Sequence, residues 1–277
     1  MAISYAARLR EELSLRALTW AKCNDLVHEA TIGSLPAVLF RENEDGTHGN
    51  FHAAAYKCIC RKPEWNRRLQ KSHTSARRNL ASHDSDRREL DTAVSSDALL
   101  MNIFCHPQAF AAGSSLRALI ATEPPERLQF GYKPRIPLIA NHVECTEADL
   151  RIGDLLIEAK LTEADFQRAP RTRVEGYRDF DSVFDIHLLP QVAESYLHYQ
   201  LIRGVLSAWA EQGIRYCVIC DTRRPDLIDA WFTVARAVKL ASLRSRLQLV
   251  TWQEIAATFP KSMRTWLAEK YGIVFAG

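Results

Sequence analysis

The stretch ADLRIGDLLIEAKL, residues 148–161, decides how the rest of the chain is read. Gly153-Asp154 suits a two-residue hairpin turn between two short strand candidates, Ala148 to Ile152 and Leu155 to Leu161. If that turn forms, Ile152 faces Leu155 and, counting outward, Asp149 lies across from Glu158. Side chains alternate along a strand, so Glu158 and Lys160 project to one side while Leu155, Ile157, Ala159 and Leu161 point to the other, into a core. Two facing carboxylates repel unless a cation lies between them, and hard oxygen ligands select Mg²⁺ or Mn²⁺. A neighbouring ammonium can orient a water and offset charge developing on a phosphate.

Outward from this hairpin the chain alternates strands and helices. On the N-terminal side, Ser95, Ser96 and Asp97 supply N-cap chemistry for a helix through Phe104, and Leu128 to Tyr132 is a short strand between proline breaks. On the C-terminal side, Val192, Tyr196, Tyr199, Ile202, Leu206 and Trp209 recur at spacings of three and four, which predicts one long helix over Leu188 to Gln212 closed by Gly213. Tyr216 to Cys220 reads as a buried strand, Pro225 to Leu243 as a helix, and Leu247 to Val250 as a last strand before two helices, the second ending at Tyr271-Gly272. The expected fold is α/β, with a mixed central sheet flanked by helices. The first 30 residues read as amphipathic helix, so residues 1–94 are expected to form a mainly helical, basic extension on a core of residues 95–277.

Asp149 followed by Glu158-Ala159-Lys160 resembles the PD-(D/E)XK nuclease superfamily, with its Asp, hairpin and acid-x-Lys triplet, although Ala148 stands where the motif's name has Pro. The order capped helix, strand, hairpin, helix, strand also follows that superfamily's restriction-endonuclease-like core, over about Ser95 to Val250. The resemblance implies that Asp149, Glu158 and the backbone carbonyl of Ala159 bind the metal, and that Lys160 positions or activates the hydrolytic water. It also implies an acid on the first core helix, which is missing between Ala98 and Cys105; Glu144 or Glu89 are the candidates for a third acid. A Gln on the second core helix occurs in the exonuclease branch, and Gln200 or Gln191 corresponds to it. The implied activity is metal-dependent endonucleolytic hydrolysis of DNA phosphodiester bonds.

Charge is distributed to match. The 277 residues hold 36 Lys and Arg against 33 Asp and Glu, a net +3 too small to identify a polyanion partner by itself. Between Arg61 and Asp91, however, nine bases face five acids, and between Asn141 and Asp165 seven acids face two bases. Arg61, Lys62, Arg67, Arg68, Lys71, Arg77 and Arg78 are the expected phosphate contacts. Seven scattered cysteines, an odd number, read as reduced, and Cys217 and Cys220 fall on opposite faces of a strand, against a zinc site. No apolar run reaches the roughly 20 residues of a membrane helix, so a cytoplasmic protein without a membrane partner is expected. A homodimer is compatible with this picture, but nothing in the sequence indicates one. Two other classes stay open: a nucleic-acid-binding module that keeps the nuclease fold without turnover, and a structural protein whose acidic focus only makes salt bridges.

Overall fold

The computed structural model describes residues 3–30, 37–72, 88–123 and 127–275. The chain packs as two compact units, one of residues 1–121 with 252–277 and one of residues 122–251. Neither boundary is the expected one at 94/95. The capped helix at Ser96–Phe104 is buried from Asp97 onward and packs with the helix at Ala53–Arg61 that precedes it.

The first unit opens with helix α1 (Tyr5–Cys23), capped by Ser4, whose Oγ accepts from the Ala7 amide at 3.2 Å. Strands β1 (His28–Ala30) and β2 (Val38–Phe40) pair antiparallel. Helix α2 (Ala53–Arg61) is followed by α3 (Pro63–Leu69), with Pro63 at the first position, where a missing N–H costs nothing. Helix α4 (Ser96–Phe104) is capped by Ser95 as its sequence predicts, and α5 (Ser115–Leu119) follows.

The second unit is built on a five-stranded mixed sheet. Strand β3 (Leu128–Tyr132) comes first, and β4 (Ile136–Pro137) and β5 (Val143–Glu144) form a small separate pair. The quoted hairpin is β6 (Ala148–Ile152) and β7 (Leu155–Ala159), with Ile152 opposite Leu155. After it come β8 (Arg168–Pro170), α6 (Arg171–Val174), α7 (Phe180–Val183), β9 (Gln191–Val192) and β10 (Ser195–Leu197). Helix α8 (Tyr199–Ala210), β11 (Arg215–Cys220), α9 (Pro225–Ala237), α10 (Ala241–Arg244) and β12 (Leu247–Thr251) complete the unit. Sheet order is β12-β11-β7-β6-β3, parallel across β12-β11-β7 and antiparallel across β7-β6-β3. The last helices, α11 (Trp252–Ala257) and α12 (Lys261–Tyr271), return to the first unit, where α12 packs on α1. Lys270, 1% exposed, donates there to the backbone oxygen and Oδ1 of Asn50 at 2.8 and 2.6 Å.

Two expected helices are shorter than their periodicity predicts. The helix over Leu188 to Gln212 is replaced, up to Leu197, by the β9–β10 hairpin, and only Tyr199–Ala210 is helical. Ser195 to Leu197 pair instead with Arg168 to Pro170, a strand partner distant in sequence that takes up their backbone groups. The helical spacing that Val192 and Tyr196 share with Tyr199 is coincidence on that stretch. The helix from Pro225 breaks at Val238, where the chain is extended and Val238 forms a bridge with Phe184.

Candidate active site

Strand β7 lies at the centre of the sheet and is buried on both faces, all of Leu155 to Ala159 being inaccessible. A strand in that position carries a continuous apolar run, and Glu158 and Lys160 interrupt it. Both are buried, at 3% and 5% exposure, so the face that the two side chains share is covered by protein. Leu156, Tyr216 and Val218 on neighbouring register positions belong to the core that α8 covers, and α8 closes over Glu158.

The helix supplies the partners. Lys160 Nζ donates to Glu158 Oε1 at 2.7 Å, Gln200 Nε2 donates to the same oxygen at 3.0 Å, and Arg203 Nη2 lies 3.8 Å from Glu158 Oε2. Gln200 and Arg203 are three apart on α8, hence on one helical face. Arg203 also holds the Glu147 carbonyl at 3.1 Å, which ties the helix to the start of β6. An arginine inside the apolar run LIRGVL, one helical step from Gln200, was the available signal for it, and the sequence reading passed over it.

Asp149 sits where the hairpin ladder ends. Backbone pairing runs from Ile152 opposite Leu155 to Leu150 opposite Ile157, and the same register brings 149 opposite 158. There the Asp149 side chain takes over: its Oδ2 accepts from the Ala159 amide at 2.7 Å. Burial by itself opposes charge on Lys160, but Glu158, Glu163 and Asp149 outweigh it and hold the ammonium above its ordinary value of 10.5. Lys160 is therefore a fixed cation, not a base. The loop after it is clamped: Arg224, fully buried, donates to the carbonyls of Leu161, Glu163 and Ala164 at 3.2, 2.8 and 3.1 Å, and Leu161 N donates to Glu163 Oε2 at 2.6 Å.

The remaining sequence candidates are distributed elsewhere. Glu144 lies on the separate β4–β5 pair and accepts from Tyr177 Oη, from Tyr199 Oη at 3.0 Å and from Thr146 Oγ1 at 2.5 Å. Burial pushes its carboxyl up, but these hydrogen bonds and Arg173 hold it below the usual range. Glu144 is thus held as an anion by Tyr177, Tyr199 and Thr146. Glu89 starts a short 3₁₀ turn in the first unit, and Gln191 is exposed on β9, so Gln200 is the glutamine that reaches the carboxylate. Of the expected phosphate contacts, Arg61, Lys62 and Arg67 are exposed, with Lys62 Nζ 3.8 Å over the Trp65 ring. Arg68 and Lys71 instead donate to Asp97 Oδ2 at 3.1 and 2.6 Å; they neutralise a buried acid. Arg77 and Arg78 lie outside the described residues.

Could these residues hold a divalent cation? Asp149 and Glu158 offer hard carboxylate oxygens, and the Gln200 amide oxygen is buried with no hydrogen-bond partner among the described residues. An orphaned oxygen acceptor on the side chain that holds the Glu158 carboxylate fits an oxygen-liganded ion. No group of three or more His, Cys, Asp or Glu side chains is preassembled among the described residues, so backbone oxygen or water would complete the shell.

A mixed α/β sheet that buries an acid-x-Lys triplet on its central strand, opposite a second acid, is the arrangement of restriction-endonuclease-like proteins. A family model described as restriction endonuclease associating with ARP matches residues 20–272, and the chain belongs to that family. No curated protein and no solved structure matches it. No helix among the described residues is long and apolar enough to cross a membrane.

Proposed function

We propose that this protein is a Mg²⁺- or Mn²⁺-dependent endonuclease of the PD-(D/E)XK type that hydrolyses DNA phosphodiester bonds. The observation that carries the reading is the buried Glu158, held between Lys160 and Gln200 with Asp149 across the hairpin. Burying a carboxylate and an ammonium in a central strand costs several kcal/mol per ion before pairing repays it, roughly by, so a purely apolar strand would be simpler to stabilise. Asp149, Glu158 and the Ala159 carbonyl would hold the ion. When bound, the ion supplies Lewis-acid polarisation of the phosphate and lowers the pKa of a water.

The chain's own residues do the rest. Lys160, kept protonated by its three acids, orients the attacking water by donation and offsets the negative charge that builds on the phosphoryl oxygens. Gln200 fixes the Glu158 carboxylate, and the Asp149–Ala159 bond fixes the opposing acid. Exposed Arg61, Lys62 and Arg67 are the assigned backbone contacts, which makes affinity salt-dependent.

The test is cleavage of supercoiled plasmid with Mg²⁺, with EDTA, and with Lys160→Ala. Nicking or linearisation that needs the metal and falls at least about 100-fold in the variant is expected for loss of a positioned acid–base or electrostatic group. Undiminished cutting by Lys160→Ala removes the mechanism. Retention of DNA without cleavage at any metal assigns the chain instead to a binding module with a degenerate nuclease fold.

A further inference from the structure

The first unit contains a cavity of about 750 Å³ that the nuclease reading does not use. Its walls include Trp20, Phe51, Tyr56 and Trp266, and its rim carries Lys57 and Arg61. The volume falls in the ~300–1,000 Å³ range of small-molecule sites. Phe51 and Tyr56 stack on each other at 5.4 Å with an interplanar angle of 29°, which fixes both rings in the cavity lining. Two wall residues bring donors. The indole N–H of Trp20 is buried and has no acceptor among the described residues. His52 accepts from the Ala54 amide at Nδ1 and burial keeps its ring from charging, so its proton sits on Nε2. His48 contributes only its ring: Nδ1 accepts from the Asn50 amide and Nε2 faces Asp91 Oδ1 at 3.3 Å, so it is not available as a base.

The geometry points to a nucleotide-binding pocket that takes a nucleobase between its aromatic walls and the attached phosphate at its rim. Flat aromatic walls stack on a base whatever its identity. The buried Trp20 donor without an acceptor needs a ring nitrogen or carbonyl of a base edge, because an unmade buried hydrogen bond costs more than a made one returns. The exposed cations Lys57 and Arg61 need an anion. A base carrying a phosphate meets all three requirements, whereas an aliphatic ligand meets none of the polar ones. The pocket requires no metal and does not rest on Asp149, Glu158 or Lys160.

Calorimetric titration of dAMP, dGMP, dCMP and dTMP into the full chain carrying Lys160→Ala, in EDTA, tests this without reading cleavage. Saturable 1:1 binding of at least one of them is expected. Trp20→Phe should weaken it at least tenfold, and Lys57→Ala should weaken the monophosphate while leaving the nucleoside unchanged. Lys57 is exposed, so that variant keeps the test valid even if Trp20→Phe fails to fold. Absence of saturable binding by all four, or binding that neither substitution alters, overturns the proposal. A duplex containing 2-aminopurine separates the two sources of a base: a fluorescence rise assigns a base swung out of the polymer, and mononucleotide binding without a rise assigns a free nucleotide. Because cutting is not measured, a failure here and a failure of the nuclease reading stay distinguishable.

Discussion

Replacing Lys160 by Met isolates what its charge does. Methionine has nearly the same length and volume, so packing is conserved and the cavity cost is small. What is lost is the 2.7 Å bond to Glu158 in a pair whose side chains are 6% and 4% exposed. Removing one partner of a buried pair leaves a stranded charge and costs about 3–5 kcal/mol. Here Gln200 at 3.0 Å and Arg203 at 3.8 Å still support the carboxylate, which places the expected loss near the lower end, about 3 kcal/mol. The sign with pH follows from the raised Lys160 pKa: its contribution is fully present below its unfolded value of 10.5 and is lost only above it. The difference between wild type and Lys160→Met is therefore flat from neutral pH to about 9. Urea unfolding gives the magnitude, and hydrogen exchange of β7 and β11 amides assigns it to the second unit. The double variant Glu158→Gln/Lys160→Met removes both charges of the pair and leaves Arg203 on the Glu147 carbonyl alone, so it should recover part of the loss. A single-variant loss below about 1 kcal/mol, or a double variant no better than the single, refutes the reasoning.

Three further outcomes follow from other contacts. Mn²⁺ binding measured by calorimetry should weaken at least about tenfold in Asp149→Asn and in Glu158→Gln, since each removes a carboxylate that the proposed site would use as a ligand; unaltered affinity in both overturns that assignment. Gly204 on α8 admits the Tyr216 ring, because a Cβ there would meet Tyr216 Cζ at 2.1 Å, so Gly204→Ala should cost about 1–3 kcal/mol or more as a lowered Tm. Burial raises the Asp97 pKa, but Arg68 and Lys71 outweigh it and bring it below 3.8. That stability is present above pH 3.8 and lost as pH falls through the folded value, so Asp97→Asn should flatten the acid limb of the unfolding curve, and identical acid limbs would count against the pair.

Local chemistry was readable wherever neighbours along the chain decide structure. The Gly153-Asp154 turn set the hairpin register, Ser95 capped its helix, Gly272 closed the last one in the left-handed conformation, and Leu128 to Tyr132 formed the strand its breaks delimit. Periodicity failed where pairing with a distant strand outweighs it: the β8 edge offered Ser195 to Leu197 a pairing that no local pattern announces.

The sequence by itself determined the α/β alternation, the pairing of residues 149 and 158, and the residue types of the candidate site. Only the tertiary structure decided what surrounds them. It brought Gln200 and Arg203 from α8 onto Glu158, it committed Arg68 and Lys71 to Asp97, and it drew Glu144 into a tyrosine cluster away from the central sheet. Spacing along a strand or helix fixes which residues share a face, because backbone geometry is local. Which element covers that face, and which charge meets which, depends on burial summed over residues far apart in the chain.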